Sequence, residues 1–120
     1  HYARLDIHGD GNSITGSQTN QGSTTGHYYA QLIFSDNNSV WVKQMGNGRK
    51  TINLHTSSDG NQVSLEQIGN NAEHNAQISL RGTHPTTLNM VQQGTTTQNY
   101  SLTQTCITVG GCSVSITQGD

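Results

Sequence analysis

Charge is scarce in this 120-residue chain: charged residues make up 10% of it, and the formal net charge is -2. Nucleic acids and anionic membrane surfaces need a basic face, so neither is expected as a partner. Long apolar runs are missing as well. None approaches the roughly 18 residues of a membrane span, and membrane insertion is not expected. Alanine, the best helix former, occurs four times, and no window carries a 3.6-residue apolar period, which argues against a helical domain. Hydrophobic residues reach only 29% and aromatics 5%, too few for a thick conventional core. The same poverty often marks disorder, but disorder normally comes with high net charge.

What the chain has instead is amide and hydroxyl. Asn, Gln, Ser and Thr account for 52 residues, with 14 Gly and one Pro. That is the composition of chains that stack through side-chain amides. The sequence opens on His1 rather than Met, which suggests a removed leader, although a trimmed chain would begin in the same way. Cys106 and Cys112 are six residues apart, a spacing that suits neither a zinc knuckle nor a thioredoxin-type pair. A disulfide in an oxidising compartment is expected; two unpaired small hydrophobes is the other reading.

One pattern recurs along the chain. Residues 61–70 read NQVSLEQIGN, and NSVWVKQMGN, TTLNMVQQGT and CSVSITQGD repeat its form, with a fainter copy from Asn12. Aligned on the closing glutamine, the anchors are Gln18, Gln44, Gln67, Gln92 and Gln118. Six residues earlier stand Asn12, Asn38, Asn61, Thr86 and Cys112; four earlier, Ile14, Val40, Val63, Leu88 and Val114; two earlier, Gly16, Val42, Leu65, Met90 and Ile116. Strand side chains alternate faces, so these positions share one face. Between them lies a second set of alternating triplets: Ala3/Leu5/Ile7, Ala30/Leu32/Phe34, Ile52/Leu54/Thr56, Ala76/Ile78/Leu80 and Tyr100/Leu102/Gln104. Gly-, Asn- and Thr-rich arcs separate the runs.

A repeat of 23–26 residues with one apolar face per strand cannot bury that face alone. The pattern predicts an all-β, five-rung β-solenoid of strand–arc–strand units with cross-β stacking and open ends. Its rungs fall at about 1–22, 23–46, 47–69, 70–94 and 95–120, in a single domain. The glutamines would form an inward ladder, Asn12, Asn38, Asn61 and Thr86 an inward polar column, and the apolar positions two aliphatic columns. The chain starts with a second-type strand and ends with a first-type strand, with no charged or Pro-rich cap on either. Residues 112–118 of one copy are therefore expected to meet residues 1–7 of the next, through Ala3, Leu5, Ile7, Val114, Ile116 and Gln118.

At these residues the sequence resembles the curlin repeats of curli, the extracellular amyloid fibres of bacterial biofilms, whose motif is Ser-x5-Gln-x-Gly-x2-Asn-x-Ala-x3-Gln. Gln44 and Gly46, Gln67 and Gly69, and Gln92 and Gly94 match it, with Asn38 and Asn61 in the Ser position. The second half departs: Arg49, Thr51 and His55 stand where Asn, Ala and Gln belong, and Ala72, His74 and Ile78 do so one unit later. The resemblance covers most of the chain from about Asn12. It implies a secreted, cell-surface structural subunit that self-assembles into biofilm fibres and mediates adhesion and surface colonisation. Its implied partners are further copies of itself, a nucleator subunit and a dedicated outer-membrane secretion system. No cofactor is implied. An adhesin or ligand-binding solenoid that stays monomeric is the alternative.

Reactive constellations are weak. His1, His8, His27, His55, His74 and His84 show no pair at metal-binding spacing, and solvated positions are expected for most of them. Asp10, Asp36 and Asp59 sit in Gly/Asn turns, where local hydrogen bonding accounts for them. HGDGN at residues 8–12 is at most a faint calcium-type turn. No nucleophile elbow is present, and an enzyme is not expected. Trp41 and Lys43 fall on the outward face as a surface patch, or as a contact between protofilaments or with a ligand. The outward residues lack the regular Thr-x-Thr array of an ice-binding face, and seven acidic residues in all do not furnish a lyase-type carboxylate cluster.

Overall fold

The computed structural model describes residues 1–19, 26–33 and 35–119. Ten strands alternate between two parallel sheets: β1 (Tyr2–Ile7), β2 (Ser13–Thr19), β3 (Tyr28–Ile33), β4 (Ser39–Met45), β5 (Lys50–Thr56), β6 (Gln62–Ile68), β7 (His74–Gly82), β8 (Thr86–Gln93), β9 (Gln98–Cys106) and β10 (Cys112–Gln118). The odd strands form one sheet in the order β1-β3-β5-β7-β9, and the even strands form the other, β2-β4-β6-β8-β10. Each odd–even pair is one turn of a β-solenoid, five turns in all, and no helix is present among the described residues.

Like residues lie over like. In the even sheet, Ile14 pairs with Val40, Val40 with Val63, Val63 with Leu88 and Leu88 with Val114; Gly16, Val42, Leu65, Met90 and Ile116 make the next column. These columns pack against Ile52, Leu54, Ala76, Ile78 and Leu80 of the odd sheet to form one core two side chains thick. The inner strands β4, β6 and β8 alternate buried and accessible residues, as a sheet with one wet face requires. Parallel pairing without crossover helices is possible here because the partner sheet serves as the return path.

The second rung corrects the expected register. The inward residues of β3 are Tyr29, Gln31 and Ile33, all buried, rather than Ala30, Leu32 and Phe34. Tyr29 pairs with Ala3 and Ile52, and Gln31 with Leu5 and Leu54. Ala30 lies opposite Arg4 and Asn53, in an outward column. The side chain of Leu32 and the whole of Phe34 lie outside the described residues. One residue of slip moves every side chain to the other face, and here β1 and β5 hold β3 in place from both sides.

The Gln-x-Gly spacing has a backbone reason. The amides of Gly46, Gly69 and Gly94 donate to Thr19, Met45 and Ile68 of the preceding rung at 3.1, 3.2 and 3.1 Å. At Gly46, with φ of 103°, an added Cβ would lie 2.3 Å from the Gly69 carbonyl oxygen. A side chain there is both strained and blocked.

Candidate functional site

The anchor glutamines form a continuous inner ladder. The Nε2 of Gln18 donates to Oε1 of Gln44 at 2.8 Å, Gln44 to Gln67 at 3.0 Å, Gln67 to Gln92 at 2.7 Å and Gln92 to Gln118 at 2.7 Å. Each Nε2 also reaches across the core to a carbonyl of the odd sheet: Tyr2, Tyr28, Thr51, Asn75 and Asn99 respectively. One N–H therefore binds the next rung and the other clamps the two sheets. Burying an amide costs free energy unless it is satisfied, and this geometry satisfies it.

The polar column runs the other way. Asn38 donates to Asn12 Oδ1 and Asn61 to Asn38 Oδ1, both through Nδ2 at 2.9 Å, and the Thr86 amide closes on Asn61 Oδ1 at 2.7 Å. Ser35 and Ser58 brace the same corner from three residues upstream. In the fifth rung Cys112 occupies the column, opposite Thr86, and Cys106 lies opposite Gly82. The two cysteines are joined in a disulfide, Cα to Cα 5.8 Å. A covalent link thus stands at the corner that a Ser–Asn hydrogen bond braces in the second and third rungs.

A third column was not legible beforehand. His1, His27, Lys50, His74 and Gln98 each stand two residues ahead of the first inward residue of an odd strand. His27, Lys50 and His74 are fully buried, which corrects the expectation of solvation at His27 and His74; His1 and His8 are exposed, and His55 and His84 half-buried. The Lys50 ammonium donates to the carbonyl oxygens of Asn47 at 3.0 Å, Gly48 at 3.2 Å and Ala72 at 2.7 Å. All three of its N–H bonds are used. Burial lowers its pKa from 10.5, opposed by the charge of Glu73. His27 is lowered from 6.5, first by burial and then by the positive charges of Lys50 and the chain's amino end, against the Thr19 carbonyl. Its Nδ1 accepts from the Lys50 amide at 3.3 Å, and Nε2 faces the Thr19 carbonyl at 3.0 Å. The neutral ring protonated on Nε2 meets both partners.

The ends differ from the middle. Leu5 is 50% exposed and Ile7 42%, although Ile52 and Leu80, inward residues of the third and fourth rungs, are at 0%. At the other end Tyr100, Leu102, Val114 and Ile116 are only partly covered. The edges are β1 and β2 at one end and β9 and β10 at the other. This corrects the expected junction: β10 and β1 belong to different sheets, so residues 112–118 cannot pair with residues 1–7 in a continuing stack. The residues named for that contact do lie on the two end faces. Their strand partners in such a stack would be β2 for β10 and β1 for β9.

Elsewhere the surface offers little chemistry. Asp36 and Asp59 accept from the backbone amides of Asp10 and Asp36 in the adjacent rung, at 2.7 and 2.9 Å; they tie rungs together rather than closing their own turns. Trp41 is 41% exposed on the outer face. Tyr2 and Tyr28 stack outside the odd sheet at 5.1 Å, with Arg49 over Tyr28. Among the described residues no group of three His, Cys, Asp or Glu could hold a metal ion. No protein-family model and no curated protein matches the sequence.

Proposed function

We propose that the chain is a structural subunit that stacks head to tail into extracellular, amyloid-like fibres of a biofilm matrix, comparable to curli, and that the fibres serve adhesion and surface colonisation. The observation that carries this reading is the pair of open ends. Two edge strands at each end have unpaired backbone groups, and Leu5 and Ile7 lie bare in columns that are buried two rungs away. An uncovered parallel edge is a template for another strand. The ladders add a direction. Every ladder glutamine from Gln18 to Gln92 donates toward the fifth rung, so Gln118 has an N–H left for Gln18 of the next copy, whereas two fifth rungs face to face would oppose donor to donor. Such a head-to-tail contact does not close and yields filaments. Secretion and the biofilm setting rest on the curlin-like motif and on the disulfide, a bond of oxidising compartments.

A monomeric binding module is the second reading. An open groove of about 500 Å³ lies over the odd sheet, lined by Arg4, Tyr28, Asn53, His55 and Gln77 among others. Electron microscopy of the purified chain, incubated without template, separates the two. Unbranched fibres with a repeat of about 4.8 Å along the axis are expected. A chain that remains monomeric at high concentration would sink the fibre reading.

A further inference from the structure

The two end faces differ in volume as well as in strand identity. The first rung is underfilled. Gly16 stands in the column that carries Val42, Leu65, Met90 and Ile116 above it, and an added Cβ there would meet no atom within 4 Å. Ala3 stands in the column that carries Tyr29, Ile52, Ala76 and Tyr100. Together they leave a recess of about 230 Å³ bounded by Ala3, Leu5, Ile14, Gly16, Tyr29 and Val42, among others. The last rung is filled to its face, with Tyr100 and Ile116 packed on their inner side only.

We propose that this recess is a socket for Tyr100 and Ile116 of a second copy. The inference rests on the head-to-tail reading and assigns the residues that make the junction fit. Stacking β9 on β1 and β10 on β2 brings Tyr100 over Ala3 and Ile116 over Gly16, each large side chain over the smallest residue of its column. The chain already packs this way inside itself: Tyr29 lies next to Ala3 and Tyr100 next to Ala76. Docking gives Tyr100 an alanine on both sides. The reversed contacts fit badly. Two first rungs would oppose open face to open face and leave a void, and two last rungs would press two filled faces together. Voids and overpacking both cost stability, so size as well as amide polarity selects one orientation.

Seeded elongation tests this with three chains: wild type, Gly16→Trp, and Gly16→Trp combined with Ile116→Gly. Filling the socket should slow elongation about tenfold or more, and emptying the facing position should restore most of the rate. Circular dichroism checks each monomer. Thr15→Trp, one residue away and on the outward face, should elongate like wild type. Should Gly16→Trp fail to fold, Ala3→Phe with and without Tyr100→Ala puts the same question to the other column. Fibres that grow at the wild-type rate from Gly16→Trp subunits overturn the inference, as does slow growth that the second substitution does not relieve. A wild-type chain that never elongates sinks the fibre reading itself, a different result.

Discussion

The side-chain amide of Gln67 donates to that of Gln92 at 2.7 Å, while the same nitrogen holds the Thr51 and His74 carbonyls of the opposite sheet at 3.2 Å. One residue links two rungs and two sheets. Gln67→Ala should therefore cost about 1–3 kcal/mol for each group it orphans, Gln44 Nε2 and Gln92 Oε1 among them. Gln62→Ala, on the exposed face five residues earlier, should change stability by less than about 0.5 kcal/mol. Urea unfolding of the monomer reads the difference, and equal midpoints would contradict it.

Lys50 supplies three carbonyls with their donor, so Lys50→Met is expected to destabilise by several times the cost of a surface substitution, about 2–4 kcal/mol. The loss should concentrate where Asn47, Gly48 and Ala72 meet. Hydrogen exchange should show faster opening of the arcs between β4 and β5 and between β6 and β7 than of the β8–β9 arc. Uniform loss of protection would contradict a local clamp.

His27 makes stability depend on pH. Its folded pKa lies below its ordinary value of 6.5, chiefly through burial, so the unfolded chain binds the proton first. The stabilisation is complete above about pH 6.5 and is lost as pH falls from there through the lower folded value. The neighbours that resist the proton are Lys50 and the amino end, with the His1 ring 5.1 Å away. His27→Gln should flatten this part of the stability–pH curve. An unchanged slope would mean that the proton goes elsewhere.

Tyr29 hydrogen-bonds Gln31 inside the second rung, and Gln31 Nε2 has no partner among the described residues. Burial raises the Tyr29 phenol well above its usual range, so the group stays neutral. Gln31→Leu alone strands the hydroxyl and should be neutral or mildly destabilising. Tyr29→Phe together with Gln31→Leu removes both partners and should stabilise by about 1 kcal/mol. Thermal melts of the two variants decide it; a double variant weaker than the single would refute the assignment.

The disulfide stands in for a Ser–Asn brace, which sets up an exchange. Cys106→Ala with Cys112→Ala should lose at most about 2–3 kcal/mol, because so short a loop removes little chain entropy. Cys106→Ser with Cys112→Asn rebuilds the Ser58–Asn61 pair and should recover part of that loss. Equal stability of the two double variants would show that the corner does not use the hydrogen bond.

The sequence by itself determined the solenoid, its five rungs and the even sheet. There the middle strands β4, β6 and β8 carry Asn or Thr, two apolar residues and Gln on one parity and mostly polar residues on the other, so local alternation and the inward face agree. The Gln ladder was legible for the same reason: identical residues at identical offsets have only one neighbour to bond. The second rung was different. Residues 28–34 are apolar on both parities, and the expected alternation, which starts at Ala30, does not start on the inward face. Only stacking against Ala3 and Ile52 fixes the register, because a strand bonded on both sides cannot choose its own face. That error also hid His27, whose inward place follows only once Tyr29 is inward. Lys50 escaped for another reason, since a charge is buried only where carbonyls from separate arcs, Gly48 and Ala72, meet around it. The ends of the stack were likewise a tertiary matter. Which strands share an edge depends on how the chain winds, and only the winding places β9 over the column of β1 and β10 over that of β2.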